Sequence, residues 1–431
     1  MRIRPRPFSS DSQSGTTRRD FLTQVSALGV GAWFAPCLPS TSRDARAQGV
    51  IQVFLHGGLS HIDTFDPKPD APIEVRGAFR AIPTAVDGLQ FSELCPELAR
   101  VADRMVVIRS VTHTEAAHER GTTNMLTGYR PSPAIAYPGF GAVVSHELGV
   151  RNDVPPYVAI PGPDVPDLGT GYLSSAFGAF SVGGDPTRKE FRVMDLAPSA
   201  DLGDARGQRR REILDALDGG FDRKADSIAA TQAFYRQAWD MIGSQPAREA
   251  FRLELEGDAM RDRYGRTAFG QRLLLARRLI EAGARFVVVY AGGWDHHQKV
   301  ADGLRAQFPP VDKGVAALVA DLDERRILDR TMVLVTTEFG RTPRANPDAG
   351  RDHWPRVFSV LAAGGGLKRG LVFGSSDAGG AEPDADPVRP ADLAATMFTQ
   401  LGIDPRKRLL SPGDRPIDIV RDGEVIEELR A

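Results

Sequence analysis

Six short segments are apolar on consecutive positions: "VIQVFL" (50–55), "MVVIRSV" (105–111), "YVAI" (157–160), "RFVVVYA" (285–291), "TMVLVTT" (331–337) and "VFSVLAA" (357–363). A strand with one face in water alternates apolar and polar residues. Strands apolar on both faces belong to a sheet covered on both sides, which is the habit of parallel sheets. Helical segments lie between them. "AFGQRLLLARRLIEAG" stops at Gly283 ahead of one strand, and "VDKGVAALVADLDERRILD" sets Val311, Val315, Leu318, Val319 and Leu322 at helical spacing ahead of another. This alternation predicts the α/β class, with a doubly wound, mostly parallel sheet.

In an open sheet of that kind, ligands bind beyond the carboxyl ends of the strands. Of the eight histidines, only His146 lies away from a strand end. His56 and His61 follow the first strand, His113 and His118 the second, and His296 and His297 follow "RFVVVYA". His353 sits in "GRDHWP", ahead of the last strand. The same loops carry Asp63, Asp66, Glu115, Asp295, Glu338 and Asp352. Any one of these histidines is explained as well by a loop hydrogen bond, but together with the carboxylates they suit zinc, manganese or iron(II) rather than a thiolate site. Adjacent His296 and His297 cannot easily face one ion, so one of them is expected outside the ligand set. Arg341, Arg344 and Arg351 flank the region; they are placed to grip an anionic substrate or to pair with Asp348 and Asp352.

The first 47 residues form a separate unit of meaning. Arg18 and Arg19 precede the mostly apolar "VSALGVGAWFAPCLP", and "ARA" ends at Ala47. That order predicts a twin-arginine export signal, removed to leave a chain starting at Gln48 and acting in the periplasm or outside the cell. The twin-arginine machinery is then a partner. Beyond the leader no apolar run reaches the length of about 18 residues that crosses a bilayer. Cys37 would depart with the leader and Cys95 stays alone, so no internal disulfide is expected. With 54 basic and 56 acidic residues, charge gives no reason to expect nucleic acid or an anionic membrane as partner. Residues 200–265 are charge-rich and helical in pattern; they are expected as an insertion, either a cap on the substrate side or a cover for the sheet.

Four motifs, "FLHGGLSHIDTFDPKPD", "GGWDHH", "TTEFGRTPRANPDAGRDHWP" and "GGGLKRGLVFGSSDAGG", resemble the exported bacterial family called domain of unknown function 1501. In outline that family is similar to the alkaline phosphatase and sulfatase superfamily, whose members use metal ions to hydrolyse phosphate or sulfate esters. The resemblance implies an alkaline-phosphatase-like domain over 48–431 and a divalent metal, zinc or manganese. It implies metal ligands at His56 with Asp63 close behind, at Asp295 and His297, at Glu338 and at His353. "TTEFG" departs from the pattern, since Phe339 stands where a histidine ligand is expected. "HERGTTNMLTG" departs further: His118 occupies the nucleophile position and Thr122 that of an arginine, leaving Ser60, Thr122 and Thr123 as hydroxyl candidates beside His118 itself. Arg341 and Arg351 become candidate substrate-binding groups. The expected function is an exported metal-dependent hydrolase of phosphate or sulfate esters, acting on a small anionic ester or a sulfated or phosphorylated glycan. The alternative is an inactive metal- or carbohydrate-binding scaffold on the same fold.

Overall fold

A computed structural model describes residues 45–162, 169–188, 191, 209 and 237–431. Residues 1–44 of the expected leader and most of 200–236 lie outside the described residues. Eight strands form the main sheet: β1 (Gly49–His56), β2 (Met105–Val111), β3 (Tyr157–Ile160), β4 (Phe180–Ser181), β5 (Phe286–Gly292), β6 (Thr331–Thr336), β7 (Phe358–Ala363) and β8 (Leu371–Phe373). Their order across the sheet is β8-β2-β7-β6-β1-β5-β3-β4. All six strands expected from the sequence are present within a residue at each end.

The pairing explains the apolar runs. Along β1, Ile51, Val53 and Leu55 enter one core, whereas Val50 and Phe54 enter the other. Two helices, α3 (Ala268–Ala282) and α4 (Pro309–Glu324), cover the first face, and α1 (His118–Thr127), α2 (Phe140–Leu148) and α5 (Pro390–Gln400) cover the second. Both faces are therefore dry, and a polar residue on a central strand costs stability unless it finds a partner. Gln52 is the exception within β1, and its amide donates to Thr336 Oγ1 on β6 at 3.3 Å.

Helix boundaries follow local chemistry. The Thr267 hydroxyl accepts from Gly270 N–H at the start of α3, and Gly283 at φ 127° ends that helix by donating to Leu279 and Ile280 carbonyls. Val311, Val315, Leu318, Val319 and Leu322 on α4 are all buried, as their spacing predicts.

One strand departs from the parallel majority. β7 runs antiparallel to both its neighbours, β2 and β6, while every other pairing in the sheet is parallel. Its apolar run looks the same in either direction, because a strand buried on both faces has no polar alternation to reveal which way it runs. The reversal matters for position. The start of an antiparallel strand lies at the same sheet edge as the ends of its parallel neighbours, so His353 reaches that edge by preceding β7.

The described part of the predicted insertion packs on α3. Met241, Ala247, Ala250, Phe251 and Leu253 join the core beneath it, and Arg278 of α3 donates to the carbonyls of Glu249 and Ala250. No helix among the described residues is long and apolar enough to cross a membrane. Cys95 is buried and free.

Candidate metal centre

Three adjacent strands, β5, β1 and β6, end together, with His56 opposite Gly292 and Phe54 opposite Thr336. Their loops carry His56, Asp295, His297 and Glu338 to one place, and the start of α1 and the approach to β7 add His118 and His353. The β1 and β5 loops touch backbone to backbone. A Cβ at Gly57 (φ 122°) would lie 2.6 Å from the amide nitrogens of Trp294 and Asp295. Gly350 plays the same part on the other side, since a Cβ there would lie 2.0 Å from the His297 carbonyl.

Hydrogen bonds set the orientation of each ring. His118 Nδ1 lies 2.6 Å from Glu338 Oε1, His297 Nδ1 lies 2.6 Å from Asp352 Oδ1, and His353 Nδ1 lies 2.7 Å from the Ala116 carbonyl. An acceptor-only partner requires N–H on Nδ1. The neutral form of each ring therefore turns an Nε2 lone pair inward. Those lone pairs meet at Asp295: His297 Nε2 is 2.9 Å and His353 Nε2 3.2 Å from Oδ1, and His118 Nε2 is 3.2 Å from Oδ2. The two ring nitrogens of His297 and His353 are themselves 3.1 Å apart. Buried His118 Nε2 has no partner in good hydrogen-bonding geometry, since its approach to Asp295 is close but poorly aligned.

Electron pairs facing one another at these separations repel unless a proton or a metal cation sits among them. Histidines whose far nitrogen is held by a carboxylate or carbonyl are the usual form of metal-ligating histidine. Two ligand triads have atoms within 4.8 Å of one another, His56–His118–Glu338 and His118–Asp295–His353, and they share His118. The donor set of imidazole and carboxylate fits a divalent ion of the zinc or manganese type.

Electrostatics separates the two triads. The Glu338 carboxylate beside His118 raises its pKa against the opposing effect of burial, with Asp295 adding to the rise, so His118 tends to hold a proton. Burial lowers the pKa of His353, which favours the neutral ring a metal needs. Burial pushes the Asp295 carboxyl up, but Arg341, reinforced by His353 and His118, overcomes it and holds the group well below the usual carboxylate range. Asp295 and His353 are thus biased towards the charge states a cation would meet, and His118 towards the protonated ring.

Glu338 is fully buried and also accepts from the Gly57 N–H at 2.7 Å. His56 approaches it at 3.8 Å. Phe339 is buried between the His118 and His353 rings, with centroids 5.0 and 4.5 Å away, so it walls the site and ligates nothing. Of the adjacent pair, His297 enters the cluster; His296 packs near Trp294 and Gly303 instead.

Other predicted residues lie apart from this cluster. Asp63 is 1% exposed and pairs with Arg351 at 2.7 Å, and the Ser60 hydroxyl donates to Asp63 at 2.6 Å. Arg351, 0% exposed, spends its remaining donors on the Thr342, Pro343 and Val75 carbonyls. Arg341 is 1% exposed, and donates to the Gly57, Gly58 and Arg351 carbonyls as well as to Asp295 at 2.5 Å. Both arginines are therefore internal braces with no free fork for a substrate, which corrects the expectation for Arg341 and Arg351. Nor do they pair with Asp348 or Asp352, since Asp352 holds His297. Thr122 is buried within α1 and its hydroxyl has no hydrogen-bond partner. The positioning role of His113 was not foreseen. Its Nδ1 accepts from the Glu115 N–H at 3.0 Å, so its Nε2–H donates to the Glu338 carbonyl at 2.7 Å. Only its place after β2 hinted at it.

This is an α/β protein with a histidine–carboxylate centre at the carboxyl edge of its sheet. The chain belongs to the family described as protein of unknown function (DUF1501), which matches residues 47–430. Among solved structures it is similar to a sulfatase from Pseudoalteromonas sp., with 12% identity and a TM-score of 0.41 over 83% of this chain and 68% of that one. It is also similar to a phosphonate monoester hydrolase from Silicibacter pomeroyi, with 14% identity and a TM-score of 0.34 over 88% and 76%. An alkaline phosphatase from the Antarctic bacterium TAB5 gives 11% identity and a TM-score of 0.34 over 76% and 94%. No curated protein matches the sequence.

Proposed function

We propose that the protein is a metal-dependent hydrolase of phosphate or sulfate esters that acts outside the cytoplasm. The observation that carries this reading is the convergence of three histidine Nε2 atoms on Asp295, each ring fixed from behind. Asp295, His297 and His353 would hold the ion, with His56 and Glu338 beside them. A divalent cation bound there supplies positive charge to offset the negative oxygens of the ester group and to activate water.

The chain's own groups do the rest. His118 carries a proton at Nε2, directed into the site, and passes it to the leaving oxygen of the ester. Glu338 stabilises the protonated ring and fixes its orientation. The start of α1 has no side-chain cap, so its first N–H groups remain to bind an ester oxygen. Ser60 is tied to Asp63 and Thr122 is buried, so attack by water fits these side chains better than attack by either hydroxyl. Location outside the cytoplasm rests on Arg18, Arg19 and the apolar segment that follows them; changing both arginines to lysine should leave the precursor in the cytoplasm.

The deciding assay is hydrolysis of 4-nitrophenyl phosphate and 4-nitrophenyl sulfate by the metal-loaded protein. His353→Ala should abolish turnover, and His118→Ala should lower it by about 10²- to 10⁴-fold, the usual worth of a positioned acid. A metal-loaded protein that cleaves neither ester, nor any other in a broad panel, would leave a metal- or carbohydrate-binding scaffold as the reading.

A further inference from the structure

A cavity of about 390 Å³ lies beside the metal centre, between the end of β2, the last turns of α1 and the first turn of α5. It falls within the roughly 300–1,000 Å³ span of small-molecule sites. We propose that it binds an acidic sugar unit, the ring-bearing part of the substrate; the word substrate here rests on the hydrolase reading above.

The lining carries four kinds of group that such a ligand needs. Tyr137 supplies an aromatic face, backed by the buried Tyr129 ring, which stacks on it at 3.9 Å and 9°. The Tyr129 hydroxyl donates to the Asp418 carbonyl, which fixes the pair in place. Arg421 is exposed and stands 5.7 Å from the centre of the Tyr129 ring. Its guanidinium is a forked donor suited to a carboxylate or sulfate. Arg130 and Arg389 also line the cavity, but each is already engaged, by Glu115 at 3.0 Å and by Asp392 at 2.7 Å. Asp422 and Asn124 supply acceptors and an amide for hydroxyl groups. An inorganic anion would not use the tyrosines, and a simple aromatic acid would leave Asp422 without a donor. An acidic sugar uses all of these groups.

Two links join the cavity to the metal centre. Asn124 lies six residues after His118 on α1, about 9 Å along the helix axis. His113 lines the cavity and donates to the Glu338 carbonyl, so the two sites share a wall. A substrate with its ester at His118 can place its ring against Tyr137.

The test measures binding directly by ligand-observed NMR, on protein stripped of metal by a chelator, so that it does not depend on catalysis. Probes are glucuronate, glucose 6-sulfate, glucose and 4-hydroxybenzoate. The acidic sugars should bind more tightly than glucose and 4-hydroxybenzoate. Arg421→Ala should weaken them by roughly 10- to 100-fold, the range for losing a charge-assisted hydrogen bond. Arg421 is exposed, so that variant should remain folded, which circular dichroism checks; Tyr137→Ala should weaken binding of both acidic sugars and of glucose. His353→Ala should bind glucuronate as the wild type does while losing ester cleavage. Wild-type protein that binds glucuronate but cleaves no ester supports the cavity and removes the hydrolase reading. The proposal is overturned if glucose binds as tightly as glucuronate, if 4-hydroxybenzoate binds best, if folded Arg421→Ala binds unchanged, or if no probe binds.

Discussion

Two aspartate–arginine pairs sit at the same edge of the sheet and have opposite characters. Asp63–Arg351 is sealed, with side chains 1% and 0% exposed. Asp295–Arg341 joins an equally buried arginine to an aspartate whose side chain is 45% exposed. In the first pair, every donor and acceptor near the charges belongs to the fold. In the second, the aspartate still faces three imidazole nitrogens. The chemistry of the partners is the same, so burial on the carboxylate side alone separates a brace from a site. A pair buried on both sides costs much to break, whereas a half-open one costs less and leaves its carboxylate available for a ligand.

The sharpest way to break the comparison is to remove each aspartate. Asp63→Ala leaves Arg351 charged and buried without its counterion, and should cost about 3–5 kcal/mol in urea unfolding. Asp295→Asn also leaves a buried arginine without its counterion, but water reaches the open side of the pair, so it should cost less than Asp63→Ala in the absence of metal. Equal losses would erase the distinction.

Metal binding should narrow the gap between the two variants. At a concentration about 100 times its dissociation constant, a bound ion raises stability by about 2.7 kcal/mol. Wild-type protein should show this gain in thermal melts, and a chelator should abolish it. Asp295→Asn and His353→Ala should show no gain, while His146→Ala should match the wild type in both metal content and melting.

Asp312 sharpens the comparison from a third direction, because it is a buried carboxylate answered by no arginine fork. It accepts from the Glu97 and Leu98 N–H groups at 3.0 and 2.8 Å, and burial pushes its pKa up to about 6. A raised folded-state pKa means that protonation favours the native state. The contribution is fully present below the ordinary aspartate value near 3.8 and is lost as pH rises through about 6. Unfolding of Asp312→Asn should lack this decline between pH 4 and 6, a difference on the order of 1–2 kcal/mol. An unchanged pH dependence would show that the two N–H groups already offset the burial.

The sheet was legible because apolar runs of four to seven residues demand burial on both faces, and the histidines at their ends marked the active edge. Direction within the sheet was not legible, since β7 carries no polar alternation. Nor were the arginines. Arg341 and Arg351 stand in a loop rich in glycine, proline and aspartate, where local sequence suggests solvent. They are buried by backbone from segments almost 300 residues away, such as Gly57, Gly58 and Val75. The motif "GGWDHH" put Asp295 and His297 beyond a strand end, where the structure has both, but Asp352 as the acceptor behind His297 depends on a loop closure that sequence spacing does not encode. The cavity beside α5 draws on residues from 112 to 422, and no local pattern announces it.

The close contact at Gly350 has a consequence for motion. Arg351 N–H donates to the His296 carbonyl, and Lys299 and Val300 N–H groups donate to the Asp348 and Ala349 carbonyls. The Asn346 side-chain amide holds the His297 carbonyl as well. The segments 296–300 and 346–352 are therefore stitched along their backbones, with no side chain between them to act as a spacer. Neither can open while the other stays closed, so their amides should exchange with deuterium as one cooperative unit. His297 and His353 then keep their mutual distance through thermal fluctuation, and the ion they would share is bound by a preset gauge rather than by two independent arms.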